Sequence, residues 1–227
     1  MRTLNDSNPA LKKGTTIFLK QVKDPCTVTR LLQPASANKK LGGGKAVVQK
    51  GKWKHLPMYS LSLEERATCP RTCEQWKTCY GNNMPFANRI DSTDVSSLIT
   101  SLEAELNALS TKHTSGFVVR LHVLGDFFSV RYVNAWARWR KKYPTMQIFG
   151  YTHRSPTSAI GKAITQLNYN GAWIRWSDQG GPMSANVDQN GQQAEGITCP
   201  EQTGKTASCL TCGLCWSTEK AIRFVVH

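Results

Sequence analysis

Repeated strand–helix units predict an α/β fold with a parallel sheet, open or curled into a partial (βα) barrel and carrying cysteine-rich metal-binding loops. Three observations support that expectation. From about residue 56, short apolar and β-branched runs alternate with helical patterns. The runs end in polar residues, and α/β folds gather their chemistry at the carboxyl ends of strands. Seven of the eight cysteines form two tight groups, each opening with Cys-Pro, and the first directly follows a predicted strand.

The elements follow in order. Met58 to Leu63 alternates and predicts a strand that runs into the first cysteine loop. Asp91 or Ser92 is the expected cap of a helix in which Val95, Leu98, Ile99, Leu102, Leu106 and Leu109 keep helical spacing. Phe117 to Leu124 predicts a buried strand ending at Gly125-Asp126, and Ser129 caps a helix stopped by Pro144. Met146 to Tyr151 is the next strand, followed by Thr152-His153-Arg154. Ser155-Pro156 predicts a helix start with proline at the first helical position, with Ile160, Ala163, Ile164 and Leu167 inward. Ala172 to Trp176 predicts a strand ending near Ser177-Asp178, residues 182–196 a polar loop, and Ala221 to Val226 a closing strand with His227 at its end. Trp136, Trp139, Trp173 and Trp176 are read as packing residues, with base stacking on some of them as the lesser alternative.

Composition bounds the class. A hydrophobic fraction of 40% over 227 residues suits one soluble core with a small cysteine-rich appendage. No apolar run reaches membrane-spanning length and the polar, basic start lacks a signal-peptide pattern, so a cytoplasmic protein without a membrane partner is expected. In a reducing compartment, clustered cysteines read as metal ligands rather than disulfides.

The net charge of +14 is uneven. Residues 1–54 carry twelve Lys or Arg against two acids, a balance of +10; residues 55–227 carry seventeen against thirteen, a balance of +4. The expected organisation is a basic N-terminal arm, 1–54, before an α/β iron–sulfur domain, 55–227, with a cysteine-rich segment at 197–216. The arm either contacts nucleic-acid phosphates or serves as a solvated extension. Lys39-Lys-Leu-Gly-Gly-Gly-Lys45 reads as a flexible turn between them; Ala46 follows the lysine where a phosphate-binding loop needs Ser or Thr.

The cysteines carry the chemistry. Cys209-x-x-Cys212-x-x-Cys215 with the remote Cys199-Pro matches the ligand run of bacterial ferredoxins, and four thiolates complete either a [4Fe–4S] cluster or a tetrahedral zinc site. Iron–sulfur is the preferred reading, because zinc more often takes two separate Cys-x-x-Cys knuckles. The first group, Cys69, Cys73 and Cys79, has three thiolates; either one iron stays open to an exchangeable ligand, or a His or Cys26 closes a structural site. Cys26, alone in the basic segment, reads as an uninvolved thiol. Arg120, His122 and Leu124 are expected on one strand face, aimed near Asp126, and His153-Arg154 could hold an anion. His122, Asp126, His153 and Arg154 are therefore the candidate catalytic residues.

Several stretches resemble a domain family of phages and prophages known as gene product eighty-eight. They are Ser60-Leu-Ser-Leu with Thr68-Cys-Pro and Cys79-Tyr80; Arg120-Leu-His-Val-Leu-Gly-Asp-Phe-Phe128; Phe149-Gly-Tyr-Thr-His-Arg154; and Ile197 to Trp216 with the tail Ile222 to His227. The resemblance runs in patches over residues 56–227, leaves the basic arm outside, and implies no activity. A looser resemblance is to radical S-adenosylmethionine enzymes, which place a three-cysteine loop after the first barrel strand and a Gly-Gly-Glu-like motif after the second. It implies that the open iron binds the amino acid end of S-adenosylmethionine and that Gly125 and Asp126 seat its amino group. The spacing departs from that pattern: Cys-x3-Cys-x5-Cys here, Cys-x3-Cys-x2-Cys there.

Two functions follow as expectations. One is a redox or radical enzyme with one or two [4Fe–4S] clusters, fed by an electron donor. The other is a phage protein that binds nucleic acid through its basic arm, with clusters or zinc as structural staples.

Overall fold

The computed structural model describes residues 2–188 and 192–225. The basic N-terminal segment does not project as an arm; it is folded across the body. Its first helix, α1 (Pro9–Lys13), is capped by Asn8 and closed by Gly14. Thr16 donates from its backbone N–H to Glu64 and from its hydroxyl to Glu65, both in the loop that precedes the first cysteine group. A two-residue strand, β1 (Val22–Lys23), follows. Next come β2 (Gln33–Pro34) and α2 (Lys39–Gly42), where an ordered helical turn replaces the flexible one expected. Leu4, Leu11, Leu32, Ala35, Leu41, Val48 and Trp53 are all buried. Apolar residues spaced through a basic sequence provide the anchoring, and the lysines between them stay outside.

The body then runs β3 (Met58–Ser60), β4 (Arg89–Ile90), α3 (Val95–Lys112), β5 (Phe117–Leu121), α4 (Val130–Lys142), β6 (Met146–Thr152), α5 (Ala159–Tyr169), β7 (Trp173–Ser177), β8 (Ser184–Val187), β9 (Ile197–Thr198), α6 (Cys209–Cys212) and β10 (Ile222–Phe224). Among the described residues the main sheet has eight strands in the order β2-β3-β5-β6-β7-β8-β10-β9, and β1 pairs with β4 apart from it. β2 is antiparallel to β3; every other pairing in the main sheet is parallel. This is a mixed α/β fold with a large, mostly parallel open sheet, and it does not close into a barrel.

The order of the strands decides where the site lies. From β3 through β5, β6, β7 and β8 each strand is laid beside the previous one in the same direction. Right-handed crossovers repeated in one direction put their helices on one face. There α3, α4 and α5 meet Phe117, Val119, Leu121, Ile148 and Ile174 through Leu98, Leu102, Trp136, Trp139, Ile164 and Leu167. Each such fully buried large side chain contributes about 1.5–3 kcal/mol. The opposite, inner face presents Met58, Val118 and Phe149 to Trp53 and Val48 of the N-terminal segment and to Leu210 and Trp216 of the cysteine-rich tail.

Several boundaries differ from the sequence reading. α3 is capped by Asp94, whose carboxylate takes the Ser96 and Ser97 N–H groups, rather than by Asp91 or Ser92. α5 starts at Ala159 under the Ser158 cap; Ser155 to Ser158 form a turn in which Ser158 donates back to the Ser155 carbonyl. Residues 182–196 contain a true strand, β8, whose Ser184, Ala185 and Asn186 are buried between β7 and β10. β5 stops at Leu121, three residues before the expected end. β10 covers Ile222–Phe224; Val226 and His227 lie outside the described residues. Among the described residues no helix is long and apolar enough to cross a membrane.

Candidate functional site

The first cysteine group follows β3 and is tied to the ends of the next two strands. Thr68 donates its hydroxyl to the Glu64 carbonyl at 2.8 Å and accepts from the Asp126 N–H at 3.1 Å. Gly125 makes that approach feasible: its φ is +81°, and a Cβ there would stand 2.5 Å from the Thr68 hydroxyl oxygen. Arg154, just past β6, donates to the Thr68 carbonyl at 2.5 Å and to the Phe127 carbonyl at 2.7 Å. On the outer side, Arg71 and the Trp76 indole donate to backbone carbonyls of α1.

Asp126 is buried and serves as the knot of this corner. It accepts from the Thr152 hydroxyl and the His153 N–H at 2.8 Å each, and from the Phe127 N–H at 2.6 Å. Burial raises its pKa, and these donors work against the shift. His153 Nδ1 stands 4.0 Å from the Asp178 carboxylate at the end of β7. Cys69, Cys73 and Cys79 lie close enough to act on one another electrostatically. Burial, then the Asp126 charge, raises the Cys69 thiol well above its ordinary value; burial, then Cys79, pushes Cys73 up to about 12. Burial likewise raises Cys79. Thus Gly125, Asp126, His153, Arg154 and the three cysteines gather at the carboxyl ends of β3, β5 and β6.

His122 is not part of this gathering. Because β5 ends at Leu121, the two-residue alternation stops and His122 does not share a face with Arg120 and Leu124. Its ring lies on the helical side, 4% exposed, with Nε2 2.9 Å from the Tyr132 hydroxyl and Phe127 edge-on at 4.8 Å. Burial, then the Arg120 charge, lowers its pKa to about 3. Arg120 instead faces the inner side, above the Phe149 and Tyr151 rings.

The second group lines one recess on the inner face: Cys199, Cys209, Cys212 and Cys215, with Glu201, Trp216 and Ile222 around them. Local sequence explains the convergence. Ser208 and Thr211 form a reciprocal capping box at the start of α6, and Gly213, at φ +70°, reverses the chain so that Cys215 returns towards Cys209 and Cys212. The Cys199 N–H donates to the Arg223 carbonyl at 2.8 Å, fixing it beside β10. Arg175 of β7 donates to the carbonyls of Cys215, Ser184, Thr218 and Lys220. The Tyr151 hydroxyl donates to Cys215 Sγ at 2.9 Å. Trp216 stacks on Trp53 at 5.2 Å. Burial, then Cys215, raises the Cys209 thiol.

Neither group forms a closed ligand cage as it stands: among the described residues, no three His, Cys, Asp or Glu side chains form a metal-binding set. The donor chemistry still fits a thiophilic centre, with thiols on short loops braced by backbone hydrogen bonds. Cys26 is exposed, beside Ser101 and away from both groups. Sequence reading passed over Tyr80, Tyr151 and Arg175; the alternation of Phe149 and Tyr151 along β6 was the available signal for Tyr151.

Fold and site together define an open-sheet α/β protein with a cysteine loop at its strand ends and a second cysteine group on its inner face. The family model described as gene product 88 matches residues 29–169, more than half of the chain, and the chain belongs to that family. The match begins inside the basic segment and stops before the second cysteine group, a span shifted towards the N-terminus from the patches at 56–227. The chain is similar to the Gene 88 proteins of Mycobacterium phage D29, 26% identical over 166 residues, and of Mycobacterium phage L5, 26% over 165 residues. Both alignments cover 63% of this chain and 69% of the phage protein. No solved structure matches.

Proposed function

We propose that this chain is an iron–sulfur protein of radical S-adenosylmethionine-like design. Cys69, Cys73 and Cys79 would hold one [4Fe–4S] cluster and Cys199, Cys209, Cys212 and Cys215 another. The observation that supports it best is positional. The three-cysteine loop follows β3, Gly125-Asp126 follows its neighbour β5, and the four-cysteine recess opens on the inner face of the same sheet. Three thiolates would leave one iron without a protein ligand, and the cluster would supply single electrons, taken from an external donor, to S-adenosylmethionine. The chain's own residues have separable tasks. Asp126 and Arg154 hold the first loop against the strand ends, Arg175 fixes the second loop, and Trp53 and Trp216 shield the inner side from water.

The test is anaerobic incubation of the iron-loaded protein with S-adenosylmethionine and a reductant. Cleavage that Cys73→Ser abolishes and Cys212→Ser leaves detectable is the expected result. Cofactor binding of equal strength by the metal-free chain would overturn the assignment.

A nucleic-acid-binding reading, with clusters or zinc as staples, is favoured by one observation. Lys12, Lys13, Lys20, Lys39, Lys45, Lys50, Lys52 and Lys54 remain exposed on a segment whose apolar residues are anchored. It predicts binding that weakens steeply with salt.

A further inference from the structure

The inner face carries two arginines in very different circumstances. Arg175 is completely buried and spends its donors on four backbone carbonyls. Arg120, on β5, makes no hydrogen bond or ion pair among the described residues, and its Nη1 is buried without a partner. Its guanidinium rests on the Tyr151 ring at 4.4 Å and the Phe149 ring at 5.5 Å, and the register sets it between Ser60 and Phe149. Stacking orients the planar fork but satisfies none of its N–H groups.

Among the described residues no carboxylate forms an ion pair with Arg120. Tyr80, Tyr151, Cys209 and His122 are among the ionisable groups that feel the Arg120 charge, and none of them is a carboxylate. Tyr80 follows Cys79 of the first group, and Tyr151 donates to Cys215 of the second. The cation therefore lies between the two cysteine groups, with Tyr80, itself partly exposed, on the side of the first. A half-buried guanidinium with an orphaned donor is costly unless an anion completes it.

We propose that Arg120 is the anion-binding residue of a substrate site between the two cysteine groups, taking the carboxylate or phosphate of a small molecule through its free guanidinium edge. The proposal builds on the inner-face location of the functional site but not on either metal centre, so metal loading and anion binding fail independently.

The test is calorimetric titration of the full-length chain, metal-free and iron-loaded, with inorganic phosphate, acetate and S-adenosylmethionine. The first two probes separate phosphoryl from carboxylate preference; the third tells whether the cofactor's own carboxylate is the occupant. Saturable binding by the wild type, weakened about tenfold or more in Arg120→Gln and partly retained in Arg120→Lys, is the expected result. Bound iron should not change, and the melting temperature without added anion should not fall. Absence of saturable binding, or equal binding by Arg120→Gln, overturns it. Should that variant fail to fold, phenylglyoxal labelling of the wild type decides: protection of Arg120 by the bound anion supports the site, and labelling unaffected by any of the three anions refutes it.

Discussion

The Arg154 guanidinium reaches back to the carbonyl oxygen of Thr68, at 2.5 Å, and so holds the residue next to Cys69 from two strands away in the sheet. With its second bond, to the Phe127 carbonyl, one side chain ties together the segments that follow β3, β5 and β6. Arg154→Ala is expected to destabilise the chain by about 1.5–3 kcal/mol, the range for losing charge-assisted hydrogen bonds, as read by urea denaturation. On the proposed reading it also releases iron from the first cysteine group while the second keeps its own.

Gly125 is a position where a methyl group has no room. Gly125→Ala meets a φ of +81° and places a Cβ 2.8 Å from that of Leu63 as well as against Thr68. A loss of about 1–3 kcal/mol is expected, visible as a lowered melting temperature. Thr68→Ser, which keeps the hydroxyl, should be far milder.

His122 gives the stability a pH dependence of known sign. Its pKa is lowered to about 3 in the folded chain from 6.5, so the unfolded chain binds the extra proton between those values. Stability attributable to this residue is full above pH 6.5 and declines as the pH falls towards 3. Urea denaturation at pH 7 and pH 5 should show a smaller drop for His122→Gln than for the wild type, whatever their absolute stabilities.

Tyr151 and Cys215 offer a spectroscopic handle. Tyr151→Phe keeps the ring under Arg120 but deletes the donor to Cys215 Sγ, 2.9 Å away. On the proposed reading Cys215 ligates a cluster, and a hydrogen bond to a ligating sulfur favours the reduced, more negative state. The variant's second cluster would then titrate at a lower potential, with iron content unchanged.

Much of this architecture was legible because periodicity reports burial. The apolar spacing of α3, the Ser129 cap of α4 and the β-branched run of β5 all read directly. β8 did not, because Ser184-Ala-Asn-Val187 is polar in composition; its burial comes from the strands on either side, which a local pattern does not contain. His122 was misplaced by a strand that ends one residue before it. The basic segment read as an arm because its charge hides the sparse apolar anchors, Leu11, Leu32, Leu41 and Val48, that bind it to the body. Cysteine spacing marked both groups, but no spacing could reveal that Arg175 and Tyr151 brace the second, since those contacts span 40 and 64 residues.

The central claim is that these thiols hold iron and sulfide, and one measurement tests it most directly. Full-length protein purified without oxygen, alongside Cys73→Ser and Cys212→Ser, is assayed for iron, zinc and acid-labile sulfide with an absorption spectrum. The account predicts iron with matching sulfide, a broad band near ~400 nm, and loss of only part of the iron in each variant. Zinc without sulfide, or iron that neither substitution diminishes, would contradict it.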